Sequence, residues 1–209
     1  MVYLACQETK TDNLSSPDWQ FLQSHWNWPL NSQTSVFCFT SCDEVELFLN
    51  GKSLSSKTAR EGRERILSWS VSFESGSLKA VGKRDGRAVC EYAIYTAGRP
   101  ARIKLLADTE KLIADGKDIS HIEFQVVDAN GIIVPDAEVK VTFDVQGPAE
   151  IIGIGNANPN SHESQKAKSH STWHGRGLLI LQSTRQPAIV SLKANAPALE
   201  ADSITINTE

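Results

Sequence analysis

The chain has 209 residues, too many for one ordinary immunoglobulin-sized sandwich and enough for two domains of about 100 residues each. Its 21 basic and 25 acidic side chains leave a net charge of −4, so no basic surplus is available to hold nucleic acid. No apolar run approaches the roughly 20 residues of a membrane-spanning helix, so neither nucleic acid nor a membrane is an expected partner.

Residues 1–17 read as a lead-in, the remnant of a preceding domain. MVYLACQE reads as the last turns of a helix, and a polar link follows it as far as Pro17. MVYLACQETK lacks the basic segment and apolar core of a signal peptide. The compartment stays open, with a periplasmic or extracellular parent protein compatible with the sequence. DWQFLQSHWNWP then reads as an aromatic, extended segment that Pro29 brings to a stop.

From Ser35 the pattern is strand after strand. DEVELFLNG places Val45, Leu47 and Leu49 at every second position with Glu44 and Glu46 between them. Side chains of a strand point alternately to its two faces, so one face is expected dry and the other wet. Asn50-Gly51 closes the run as a type I′ hairpin signal, and Asp85-Gly86 closes a later one. ERILSWSVSF alternates in the same way, with Leu67, Trp69, Val71 and Phe73 on one side. Strands at intervals of about 8–12 residues with turn residues between them predict a sandwich over residues 18–97.

Gly98 and Pro100 punctuate the boundary, and the strand pattern restarts at once. HIEFQVVDANG points Ile122, Phe124 and Val126 inward and Glu123 and Gln125 outward, then turns at Asn130-Gly131. About seven strands are expected over residues 98–209, the number an immunoglobulin-like domain needs. The fold class predicted is therefore all-β, two tandem immunoglobulin-like β-sandwich domains.

Cys6, Cys38, Cys42 and Cys90 match no zinc spacing. Buried free thiols are preferred over a disulfide. The most unusual local feature is the cluster Trp19, His25, Trp26, Asn27 and Trp28. Trp rings can stack on sugar faces while Asn and His bond hydroxyls, but large aromatics also seal interfaces. The seam reading is preferred to the sugar platform. A second candidate is the long loop over residues 156–177, with Asn156, His162, Glu163, His170, Trp173 and His174. His170 and His174 are four apart, but the Ser, Thr and Gly around them argue against the helix that would aim both at one metal. Docking against a neighbouring domain, through Asn156, His162, Glu163 and Trp173, is the expected role. No metal site is expected, because a zinc site also needs a third ligand in fixed geometry, and no cofactor is expected; neither a Gly-x-Ser-x-Gly elbow nor a phosphate-binding glycine loop occurs.

HWNWP (His25 to Pro29), CDEVELFLNGKSL (Cys42 to Leu54) and LKAVGKRDGRAV (Leu78 to Val89) resemble the domain after the catalytic barrel in bacterial β-galactosidases of glycoside hydrolase family 2. TAGRPARIKLLAD (Thr96 to Asp108) resembles the junction into a last immunoglobulin-like domain. VVDANGIIVPDAEVKVTFDVQGPAEIIGIGNANPNSHE and WHGRGLLILQS resemble that domain itself. The chain departs from the family pattern at Asn156-Ala157-Asn158-Pro159, where Asn-Gly-Asp-Pro is usual. It departs again at Trp173-His174-Gly175, where Phe-Asn-Gly is usual.

The resemblance implies a C-terminal accessory region with no catalytic residue of its own. In that family both catalytic carboxylates come from the barrel, at strand ends where barrels place their chemistry. The chain is thus expected to be inactive by itself, with the barrel of the same parent chain as its partner. Carbohydrate, and a second copy of the parent in a homo-oligomer, are further candidate partners. The rival readings are a carbohydrate-binding module and a structural or adhesive immunoglobulin-like tandem.

Overall fold

The computed structural model describes residues 1–9, 17–19 and 21–209, so the polar link read over residues 10–16 lies outside the described residues. The chain divides into two compact units, Met1–Thr96 and Ala97–Glu209. Every regular element among the described residues is a strand.

The first unit carries β1 (Val2–Glu8), β2 (Gln33–Thr40), β3 (Glu44–Leu49), β4 (Lys52–Thr58), β5 (Ile66–Ser72), β6 (Ser77–Arg84) and β7 (Arg87–Tyr95). One sheet runs β1-β2-β5 and the other β4-β3-β6-β7, antiparallel throughout. The expectation of a helix over MVYLACQE is corrected by β1, whose residues Val2 to Glu8 pair one for one with Thr40 to Thr34. Val2, Leu4, Ala5 and Cys6 are all buried, so β1 is apolar on both faces and carries no clean alternation to mark it as a strand.

In β3 the alternation holds residue by residue: Val45, Leu47 and Leu49 are buried, while Glu44, Glu46 and Phe48 are half-exposed. Each buried aliphatic contributes about 2 kcal/mol. An exposed carboxylate–ammonium pair contributes about 0–1 kcal/mol. Burial of the apolar face, not the charge pattern, therefore drives this strand. The two hairpins turn as their residues require, with φ of 51° and 79° at Asn50 and Gly51 and of 49° and 74° at Asp85 and Gly86. The core between the sheets gathers Leu4, Val36, Val45, Leu47, Leu67, Trp69, Leu78 and Ile94 around the wholly buried Trp26.

The second unit carries β8 (Arg102–Ala107), β9 (Lys111–Leu112), β10 (Ile119–Val127), β11 (Lys140–Gln146), β12 (Ala149–Gly155), β13 (Ser169–Ser171), β14 (Arg176–Ser183), β15 (Ala188–Asn195) and β16 (Asp202–Thr208). Seven of these are six residues or longer, matching the seven expected; β9 and β13 are two- and three-residue additions. The sheets run β12-β14-β10-β8 and β13-β11-β15-β16-β9, with β9 pairing parallel to β16. Ile103, Ile122, Phe124, Val141, Phe143, Leu179, Leu181, Val190 and Leu192 fill the core.

Gln125, on the outward phase of β10, is only 6 % exposed. Its cross-strand neighbours are Lys104 and Arg176, whose long stems can lie across it. The Asn130-Gly131 turn is held by Asp128, whose carboxylate accepts the N–H groups of Gly98, Asn130 and Ile132 at 2.8, 2.9 and 2.9 Å. The pairing of β12 with β14 slips at a bulge between Ile151 and Gly153. Beyond the bulge, the Ile154 N–H donates to the Gln165 carbonyl at 2.9 Å.

Truncating the buried centre of β3 tests this account. Leu47→Ala is expected to lower the unfolding free energy by about 2–5 kcal/mol, and Glu46→Ala to leave it nearly unchanged. Chemical denaturation of the two variants side by side reads the difference.

Candidate functional site

The aromatic segment does not present its rings together. Trp26 is 0 % exposed. Its ring packs on Phe73 at 5.3 Å between centroids, and its indole N–H donates to the Glu74 carbonyl at 2.9 Å. Its own carbonyl accepts the Thr96 hydroxyl at 2.7 Å. The expectation that Trp26 faces a sugar or a neighbouring domain is corrected here: a ring sealed inside the sandwich has no face left to offer.

Its neighbours lie nearer the surface. His25 stacks on Trp28 at 4.8 Å and 29° between ring planes. The His25 Nδ1 accepts the Asn27 N–H at 3.1 Å, and its Nε2 meets the Gln23 side-chain oxygen. Trp28 is half-buried against the core, and its indole N–H reaches no acceptor among the described residues.

The exposed rings belong to a different group. Trp19 is 68 % exposed and Tyr3 is 40 % exposed. They flank Phe39 at 5.6 and 6.4 Å between centroids, and Tyr3 continues to Tyr92 at 5.0 Å. Tyr3, Ala5, Trp19, Leu22, Ser24 and Phe39 line an open hollow of about 350 Å³. The Ser24 hydroxyl donates to the Leu4 carbonyl at 2.9 Å and lies 3.3 Å from the Tyr92 hydroxyl. Of this row the sequence reading singled out only Trp19. The available signal was TSVFCFTS, where Val36 and Cys38 take the core phase and leave Phe37 and Phe39 on the outer one.

The loop candidates divide in two. The Asn156 amide donates to the Ser171 carbonyl and its oxygen accepts the Asn158 N–H, both at 3.0 Å. Glu163 accepts the Ser171 N–H at 2.7 Å and its hydroxyl at 3.1 Å, and lies 3.1 Å from the Nδ1 of the buried His170. These two side chains hold the loop to β13. His162 is exposed, and Trp173 is half-buried with its ring 4.3 Å from that of His174. His174 rests against the Pro135 carbonyl at 3.3 Å, so the two histidines four apart serve separate contacts. Ala157 adopts a φ of 61°, a backbone region in which a Cβ is strained.

Electrostatics on the outer face of β3 argue against carboxylate catalysis there. Glu44 and Glu46 share the Lys83 ammonium at 3.2 and 2.8 Å. The Ser56 hydroxyl and Lys83 hold Glu44 below the usual carboxylate range, and Lys83 and the Ser53 hydroxyl do the same for Glu46. Acid–base work on a glycosidic bond needs one carboxyl raised and its partner ionised. Here both are pushed the same way.

Comparison with known proteins places this geometry in a class. Residues 103–205 match the family model "Glycoside hydrolase family 2 C-terminal domain 5", and residues 31–90 match a domain of unknown function, DUF4982. The second unit belongs to the C-terminal domains of glycoside hydrolase family 2. Among individual relatives, the β-galactosidase BoGH2A of Bacteroides ovatus is 37 % identical over 187 residues, 88 % of this chain and 22 % of that protein. A β-glucuronidase of Formosa agariphila is 28 % identical over 186 residues, 88 % of this chain and 19 % of that protein. The crystal structure of a family 2 member from Bacteroides cellulosilyticus superposes with a TM-score of 0.88 at 34 % identity, covering 100 % of this chain and 28 % of the other. The chain thus spans about a fifth to a quarter of the length of the curated relatives it matches.

Two outcomes follow from the placements. Trp26→Ala is expected to cost about 3–5 kcal/mol of stability, and Trp19→Ala under about 1 kcal/mol, by thermal or chemical unfolding. The Ser171 N–H and hydroxyl hold Glu163 below the usual carboxylate range, against a burial that pushes it up. A lowered folded value means the loop contact is at full strength above the ordinary carboxylate pKa of about 4.3 and is lost as pH falls through the folded value. Hydrogen-exchange protection of the Ser171 amide should therefore hold above about pH 5 and fall on acidification below about pH 4. Glu163→Gln should remove that pH step.

Proposed function

We propose that this chain is a non-catalytic C-terminal part of a larger β-galactosidase-like glycoside hydrolase. In this reading it packs against the catalytic barrel of the same parent chain and shapes the edge of the substrate cleft or a subunit interface. The parent would hydrolyse O-glycosyl bonds, as the names of the Bacteroides ovatus β-galactosidase and the Formosa agariphila β-glucuronidase describe for those relatives.

The observation that carries the reading is the row Trp19, Phe39 and Tyr3 around its hollow. Covering the exposed two-thirds of Trp19 would remove roughly 150 Å² from water, about 4 kcal/mol. A free surface gains nothing from such a ring, whereas a covered one gains a binding anchor. His25 and Trp28, stacked and half-buried at the end of the same segment, extend the proposed seam. His162 and Trp173 provide the proposed docking contacts of the second unit's loop, with Asn156 and Glu163 setting the loop's shape.

The test adds the isolated chain to the separately produced barrel of the parent. The chain alone should show no turnover of aryl β-galactosides. It should associate with the barrel, and Trp19→Ala should raise the dissociation constant at least tenfold. Enzyme-like turnover by the chain alone overturns the reading. So does quenching of Trp19 by oligosaccharide with no affinity for the barrel, which would instead support a carbohydrate-binding module.

A further inference from the structure

The sulfurs of Cys42 and Cys90 stand 3.5 Å apart although 48 residues separate them. They approach from opposite sides of β6. Cys90 is the cross-strand partner of Gly82, and next to Cys42 the Asp43 N–H donates to the Lys83 carbonyl at 3.0 Å. Gly82 makes the meeting possible by leaving its own place empty. A Cβ there would lie 2.6 Å from the Cys42 sulfur and 2.9 Å from that of Cys90. An alanine would drive the two sulfurs from their contact.

The thiols of the chain are not equivalent. Cys6, Cys38 and Cys42 are buried, and Cys90 is half-buried. Burial pushes the Cys6 thiol up and that of Cys38 up to about 12, which keeps both protonated and inert. At Cys42 burial pushes the thiol up, while hydrogen bonds from Cys90 and the Thr40 hydroxyl pull it down.

We propose that Cys42 and Cys90 form a modification site, a paired thiol that closes to an intramolecular disulfide on reaction with a low-molecular-weight disulfide. Cys90, the more accessible sulfur, loses its proton and attacks one sulfur of the reagent. A Cys90 mixed disulfide forms, and the first reagent thiolate leaves and takes up a proton. Cys42, already in contact, then attacks the Cys90 sulfur. The bond from Cys90 to the reagent breaks and the second reagent thiol departs with the proton from Cys42. Two protein thiols are oxidised to one disulfide and one reagent disulfide is reduced to two thiols. The sulfurs must close from contact to a bond of about 2.05 Å. This site is independent of the proposed docking to a barrel.

The experiment exposes the full, reduced chain to oxidised glutathione, quenches with acid, and counts free thiols after denaturation. The expected result is a loss of two of the four thiols, with peptide mapping that joins Cys42 to Cys90. Cys42→Ser should stop at one glutathione adduct on Cys90. Cys90→Ser should lose both the adduct and the cross-link, and Cys6→Ser should keep the cross-link. Gly82→Ala should slow closure at least tenfold; circular dichroism confirms that it folds, and the Cys90→Ser result stands if it does not. Four surviving thiols, a bridge to Cys6 or Cys38, or a Cys42→Ser variant that loses two thiols would each overturn the proposal.

Discussion

Everything in this molecule follows from keeping one face of each strand dry. Val45, Leu47 and Leu49 on β3 share the first core with Leu67, Trp69 and Val71 on β5. The same rule places Ile122 and Phe124 of β10 against Val141 and Phe143 of β11 in the second. Once the dry faces are set, the polar side chains have only the outer faces and the loops left to occupy. The Lys83–Glu44–Glu46 cluster and the Glu163–Ser171 contacts lie there for that reason.

The same constraint decided what could be read from the amino acids. Strands with one dry and one wet face announce themselves, as ERILSWSVSF does through its buried Leu67, Trp69, Val71 and Phe73. β1 did not, because Val2, Leu4, Ala5 and Cys6 are buried on both faces and a short apolar run fits a helix as well. β9 and β13 were invisible for another reason: with two and three residues they have no period, and only β16 and β11 beside them make them strands.

The interaction surface was harder to read than the fold. Chemistry alone cannot distinguish a tryptophan that plugs a core from one that meets a partner. Trp26 and Trp19 belong to the same dozen residues, yet one is sealed and the other stands largely in water. Phe39 meets Tyr3 through the pairing of β1 with β2, a contact across more than thirty residues of sequence, and Trp19 packs on the same Phe39 ring. In the loop, Asn156 and Glu163 were the right residues to notice, but their hydrogen bonds turn inward to Ser171.

The slipped pairing of β12 has a bearing on assembly. An outermost strand normally displays a ladder of unpaired amides and carbonyls to any chain that drifts alongside. Here β12 carries a bulge at Ile151–Gly153 in its pairing with β14, and on its free side the Ile154 amide is already taken by the Gln165 carbonyl. A foreign segment would find no unbroken register to zip onto along this border. Addition of a further strand along this border is hindered by the bulge and by the occupied Ile154 amide.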